Sequence, residues 1–268
     1  VATLRDGTVV PAPPASQRCA PDVSAASGVG AAAATPAAAE EGPEPDFHYY
    51  SGWVEYAGYN STTQEGFNSL RSQWAVPPPP PSTTWITTTF LFNGVEIAHG
   101  YPNGNLILQP VLQYGLSGCG GGEFWGASAF FVHGITAHCG PLLHVNEGDE
   151  LVGTMEITSS SSAGNIWNVT IEDVTQGTSS SYTVTVPLTE LKWACHTLEG
   201  IRVYTCGAMP GGSGTTFSDI ALEDGGSAVK SPPWHGTVAH DNCGEAVDIS
   251  SGDITLHYDA NASTTTRH

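Results

Sequence analysis

Beyond residue 46 the chain is a series of short apolar runs broken by Gly, Pro, Asn, Asp and Ser, a texture that suits strands rather than helices. Tyr49, Tyr50, Trp53, Tyr56 and Tyr59 open it with aromatics at strand spacing. Residues 72–76 read as a strand that the five prolines 77–81 end. Further strands are expected at 87–94, 106–115, 124–132, 151–158, 167–174, 181–186, 201–206, 216–222 and 254–258. A helical turn or two is allowed near 188–196. Strands this frequent predict an all-β chain, an antiparallel two-sheet β-sandwich.

Residues 11–46 differ. They are rich in Ala, Pro, Ser and Gly and close on the acidic stretch 40–46. Such a segment buries no core and reads as an extended N-terminal arm, a linker or the remnant of a pro-segment. The expected organisation is therefore an arm over 1–46, a sandwich domain over 47–262 and a tail over 263–268.

The charge balance is lopsided, with 7 Lys and Arg against 26 Asp and Glu and a net charge of −19. That argues against nucleic acid and against anionic membranes as partners. It suits a protein working in acid, where carboxylates are neutralised and self-repulsion fades. No run reaches the length of about eighteen apolar residues that a membrane helix needs. Asn60, Asn168 and Asn261 open glycosylation triplets. With six cysteines and scarce Lys, they point to a secreted, extracellular monomer. No C-x-x-C pair is present, so neither a metal nor another cofactor is expected. Local closure would join Cys119 to Cys139 and Cys195 to Cys206, leaving Cys19 to Cys243 or free.

The chemistry concentrates in 105–115, where Gln109 and Gln113 interrupt a run of Leu, Ile and Val. At period two they share a face, and buried amides are costly unless satisfied. They either tie down a neighbour or line a cleft. A lone acid, Glu199, sits in a second mixed segment, 193–201. Peptide hydrolysis needs a base for water, an acid for the leaving amine and a donor for the oxyanion. Glu199 can serve as base and then acid. A glutamine amide can donate to the oxyanion without titrating. The bland reading is that both glutamines satisfy backbone at a sheet crossing and that Glu199 is a surface acid. A serine-hydrolase elbow is absent, and so is an acid pair alternating on one strand. His133, His138 and His144 do not fall on one strand face.

Over roughly residues 50–258 the chain resembles the glutamic peptidases of the eqolisin type. Residues 72–77 (S-Q-W-A-V-P) are similar to that family's G-x-W-x-V-P strand, and 90–94 (F-L-F-N-G) to its V-G-I-D-G. Ile107, Leu108 and Gln109 match the I-L-Q segment that supplies the catalytic glutamine. Phe124 and Trp125 stand at its W-Y-E-W run, and 193–201 at the W-I-V-E-D segment of the catalytic glutamate. Asn93 replaces an aspartate, a threonine near Thr89 replaces a tryptophan, and the glutamate of W-Y-E-W is missing. The resemblance implies a jelly-roll, concanavalin A-like sandwich and a secreted, acid-acting endopeptidase with a polypeptide substrate. It implies Gln109 and Glu199 as catalytic residues, with Trp74, Asn93, Gln113 and Trp125 lining the cleft.

The rival reading is carbohydrate-active. Trp53, Trp125, Trp167 and Trp234 could stack on sugars, and Gln109, His133, Tyr114 and Arg202 are residue types a polysaccharide lyase uses. A third reading is an inactive interaction domain.

Overall fold

The computed structural model describes residues 2–3, 9–10, 50–97, 106–187 and 191–262. The expectations for Cys19 and for the 263–268 tail lie outside the described residues, as does most of the arm. The strands are β1 (Ala2–Thr3), β2 (Val9–Val10), β3 (Tyr50–Asn60), β4 (Phe67–Ala75), β5 (Thr88–Ile97), β6 (Leu106–Ser117), β7 (Gly120–His133), β8 (Thr136–Cys139) and β9 (Leu143–His144). They continue as β10 (Glu150–Ser161), β11 (Gly164–Asp173), β12 (Thr178–Val186), β13 (Leu191–Val203), β14 (Thr215–Asp224), β15 (Ser227–Ala228), β16 (His235–Val238), β17 (Ala246–Ser250) and β18 (Asp253–His257). Where a helical turn was expected, residues 191–196 are the first half of β13. That strand is central and covered on both faces, so it loses the alternation that marks a half-buried strand. Residues 201–206 are not a strand of their own, because β13 ends at Val203 and a 3-10 turn, Cys206–Ala208, follows.

All pairings are antiparallel. One sheet runs β12-β11-β10-β4-β14-β18-β17, and the other β16-β3-β13-β5-β6-β7-β8. The two pack face to face. Trp74, Leu151 and Phe217 of the first meet Leu91, Leu112, Trp125 and Leu198 of the second in one buried cluster. The second sheet has another apolar cluster, with Trp53, Phe90, Phe92, Val111, Phe130 and Trp193. Register assigns these to its opposite face, so both faces of this sheet are closed to water.

Two disulfides are described. Cys119–Cys139 ties the β6–β7 turn to β8, with Cα atoms 5.8 Å apart. Cys206–Cys243 joins the turn after β13 to the loop before β17, with Cα atoms 5.3 Å apart. The second corrects the expected Cys195–Cys206 pairing and also removes Cys243 as a partner for Cys19. Cys206 belongs to the inter-sheet cluster and Cys195 to the cluster on the other face of β13, so the sheet separates them. Cys195 is itself disulfide-bonded. Asn60 and Asn261 are exposed, whereas Asn168 is half-buried on β11. There its amide donates to Thr170 Oγ1 and accepts from Thr183 Oγ1.

Glu55 and His196 both lie between the sheets. Glu55 on β3 is fully buried beside Glu245. Burial, helped by the charge of Glu245, pushes its carboxyl up from 4.5 to about 9. His196 on β13 is also fully buried, against Phe217 and Trp234, with ring centroids 5.0 Å from each. Burial pushes it down from 6.5 to about 3. The Glu55 contribution to stability is complete below pH 4.5 and drains away towards pH 9. The His196 contribution is complete above pH 6.5 and drains away towards pH 3. Between 4.5 and 6.5 the two slopes, about 1.4 kcal/mol per pH unit each, cancel. Urea titrations from pH 3 to 9 should therefore show a plateau over that interval with a fall on each side. In Glu55→Gln the alkaline fall should vanish while the acid fall remains. An unchanged alkaline limb would remove Glu55 from the account.

Candidate functional site

β5 lies between β13 and β6, and these three strands carry the expected site. On the face away from the first sheet, β13 presents Cys195, Thr197 and Glu199. β5 presents Phe90 and Phe92, and β6 presents Gln109, Val111 and Gln113. Glu199 pairs with Phe90, and Phe90 with Gln113, so these three stand level. Gln109 lies further along β6, between the Phe92–Val111 and Val95–Leu108 pairs. The β5–β6 ladder is interrupted there, beside Pro110, which has no N–H to give.

Gln109 and Glu199 are each 3% exposed, and both line one cavity. Phe90, Phe92, Val111 and Phe130 supply apolar wall, and Ser117 and Gly118 bring in the β6–β7 turn. The cavity volume is about 20 Å³, room for one water. The diagonal pair is thus brought to a single small, mostly apolar space, where a polar group acts at low dielectric.

The remaining expected site residues lie elsewhere. Gln113 shares the outward face, but its Nε2 donates to the carbonyls of Gly115 (3.0 Å) and Gly120 (2.8 Å). Its Oε1 accepts from Ser117 Oγ at 2.8 Å. Gln113 therefore clamps the turn whose residues 117 and 118 wall the cavity. Gly121 is required beside it, since a Cβ there would collide with Gln113 Nε2 and Gly115 O. Trp74, Asn93 and Trp125 all point between the sheets rather than into a cleft. Trp74 packs on Phe217, with ring centroids 5.2 Å apart. Asn93 is fully buried and donates Nδ2–H to Gly153 O of the facing sheet at 3.1 Å. Trp125 meets Tyr114 edge to face at 5.3 Å.

Residues missed in the sequence are the aromatic neighbours of the acid. Trp53 on β3 is the register partner of Glu199 and packs edge-on against Tyr56 (5.1 Å) and Phe92 (5.7 Å). Its spacing gave a strand but no partner, because pairing between segments this far apart has no local signal. Of the residue types suited to a lyase, only Gln109 reaches the cavity; His133, Tyr114 and Arg202 do not line it. The histidines of this region are in stacks, His138 on Phe131 (5.7 Å) and His144 on Phe124 (4.6 Å). Trp53, Trp125 and Trp167 are buried and Trp234 half-buried, so the platforms expected for sugar stacking are packing residues.

No protein-family model matches the sequence, and no curated protein matches it. Solved structures do. Scytalido-glutamic peptidase with a transition-state analogue inhibitor aligns over 79% of this chain and 100% of its own, at 16% identity and TM-score 0.56. The same peptidase with a peptide-based transition-state analogue aligns over the same shares, at 15% identity and TM-score 0.53. SCP-B, a member of the eqolisin family in complex with the tripeptide Ala-Ile-His, aligns over 79% and 100%, at 14% identity and TM-score 0.50. The likeness shows the fold. At this identity it assigns no residue a role, and the chemistry rests on the geometry above.

The two glutamines should part company under mutation. Gln113→Leu strands two carbonyls and a hydroxyl and should cost about 3 kcal/mol. Gln109→Leu should stay within about 1 kcal/mol of wild type. Urea midpoints of the two variants check this, and equal losses would give both amides the same structural task.

Proposed function

We propose that this chain is a secreted, acid-acting endopeptidase that hydrolyses polypeptides with Glu199 and Gln109. What carries the reading is that these two side chains, from strands separated by β5, line one cavity with room for a water. In this scheme a water lies against the Glu199 carboxylate. Glu199 takes its proton as the oxygen attacks the peptide carbonyl, then returns the proton to the leaving amine nitrogen as the C–N bond breaks. The Gln109 amide donates to the oxygen that becomes negative in the tetrahedral intermediate. An amide suits that task in acid because it keeps its hydrogens at every working pH.

Secretion is supported by two disulfides, which persist in oxidising compartments, and by the exposed sequons at Asn60 and Asn261. The net charge of −19 fits work in acid. The lining of the cavity favours hydrolysis over a lyase reaction, since His133, Tyr114 and Arg202 are not on it.

Digestion of an unfolded protein from pH 2 to 7, with pepstatin present, tests the reading. Wild type should cleave in acid. Glu199→Gln should lower kcat/KM by about 10²–10⁴-fold, and Gln109→Ala by about 10²–10³-fold. The melting temperature of Glu199→Gln should stay close to that of wild type. Folded wild type that leaves the substrate intact at every pH would rule out the peptidase.

A further inference from the structure

The exposed tryptophan is one that the sequence pattern did not single out. Trp85 is 60% exposed, while the other six tryptophans are buried or half-buried. It stands at the tip of a turn in the loop between β4 and β5, and that turn is pinned. Thr87 N–H donates to Thr84 O at 2.9 Å. Thr87 Oγ1 donates to Arg202 O at 3.1 Å, so Thr84 Oγ1 is the donor in its 2.8 Å bond to Thr87 Oγ1. At the next residue, Thr88 Oγ1 donates to Leu116 O of β6. Gly115 makes the close approach possible, because a Cβ there would run into Thr87 O. The hydroxyls of Thr84, Thr87 and Thr88 thus hold the turn that presents the indole to water.

Beside Trp85 is a cavity of about 160 Å³, far larger than the one at Gln109 and Glu199. Its lining includes Gly115, Gly122, Thr83, Tyr114 and Glu123. The Tyr114 phenol sits close enough to Glu123 to feel its charge. A flat apolar ledge is therefore flanked by a phenol, a carboxylate and a hydroxyl.

We propose that this ledge is a binding site for a neutral pyranose ring of a glycan, with the ring's C–H face on Trp85 and its hydroxyls on Glu123, Tyr114 and Thr83. A cationic side chain is the weaker candidate. Glu123 is exposed, and an exposed ion pair contributes about 0–1 kcal/mol. Sugar hydroxyls, by contrast, both donate and accept, so they suit a carboxyl, a phenol and a hydroxyl together, and the C–H face of the ring suits the indole. The site shares no lining residue with the Gln109–Glu199 cavity, so it stands whether or not the chain cleaves peptides.

The test is a titration of the full chain with cellohexaose, mannohexaose and the chitin hexamer at pH 3.5 and pH 6, read by tryptophan fluorescence. At least one glycan should give a saturable shift at both pH values, with Kd of order 1 mM or below. Trp85→Ala should abolish the shift without moving the melting temperature, and Glu123→Gln should weaken binding by less than about tenfold. Absence of a saturable shift with all three glycans up to about 10 mM, or a shift that persists in Trp85→Ala, overturns the proposal. So does a lysine-rich peptide that binds where the glycans do not and is released by Glu123→Gln.

Discussion

The site depends on the period-two register of β13, β5 and β6. Pairing aligns Glu199 with Phe90 and Phe90 with Gln113, and thereby decides which side chains share a face. A slip of one residue in β6 would turn Gln109 and Gln113 towards the first sheet and bring Pro110 and Leu112 out. Nothing in the cavity is adjustable independently of that register. The cost of slipping is high because both faces of the sheet are buried, so every exchanged residue would enter a packed environment. Pro110 adds a local constraint, since it breaks the ladder beside Gln109 while the pairs on either side keep one register.

A sheet closed on both faces forces polar groups into apolar surroundings, and the chain handles them in different ways. Gln113 is satisfied by three hydrogen bonds within one turn. Glu55 and His196 are accommodated by losing their charge, Glu55 by staying protonated and His196 by staying neutral. The second solution binds stability to pH and makes Glu55 a liability outside acid. The abundance of acidic residues at the surface acts in the same direction, because their mutual repulsion grows as they ionise.

The all-β class and most strands were legible in the sequence because turn residues punctuate it at regular spacing. β4, β6, β7, β10, β11 and β12 fall where alternation and breakers place them. Residues 191–196 were not legible, because a strand buried on both faces has no alternation to read. Cys119–Cys139 followed from local closure, whereas Cys206–Cys243 depended on a loop returning to the end of β13. In the site, Gln109 and Glu199 were identifiable as polar interruptions of apolar runs. Trp74, Asn93 and Trp125 were not separable from cleft residues, since a conspicuous residue in a strand does not announce which sheet face it occupies.

Asn93 shows how that ambiguity resolves. Its place in a motif where eqolisins carry aspartate made it look like a change in the cleft. The geometry makes it a change in the core. Its amide gives Gly153 O a donor between the sheets, at a position with no exposure to water. An ionised aspartate could not make that bond, because a carboxylate has no hydrogen to give and would be desolvated without a counter-charge. Only a protonated aspartic acid could replace it, which would add a third pH-dependent group beside Glu55 and His196. Asparagine at this position therefore removes a proton requirement from the inter-sheet core, and the substitution bears on folding across pH rather than on substrate recognition.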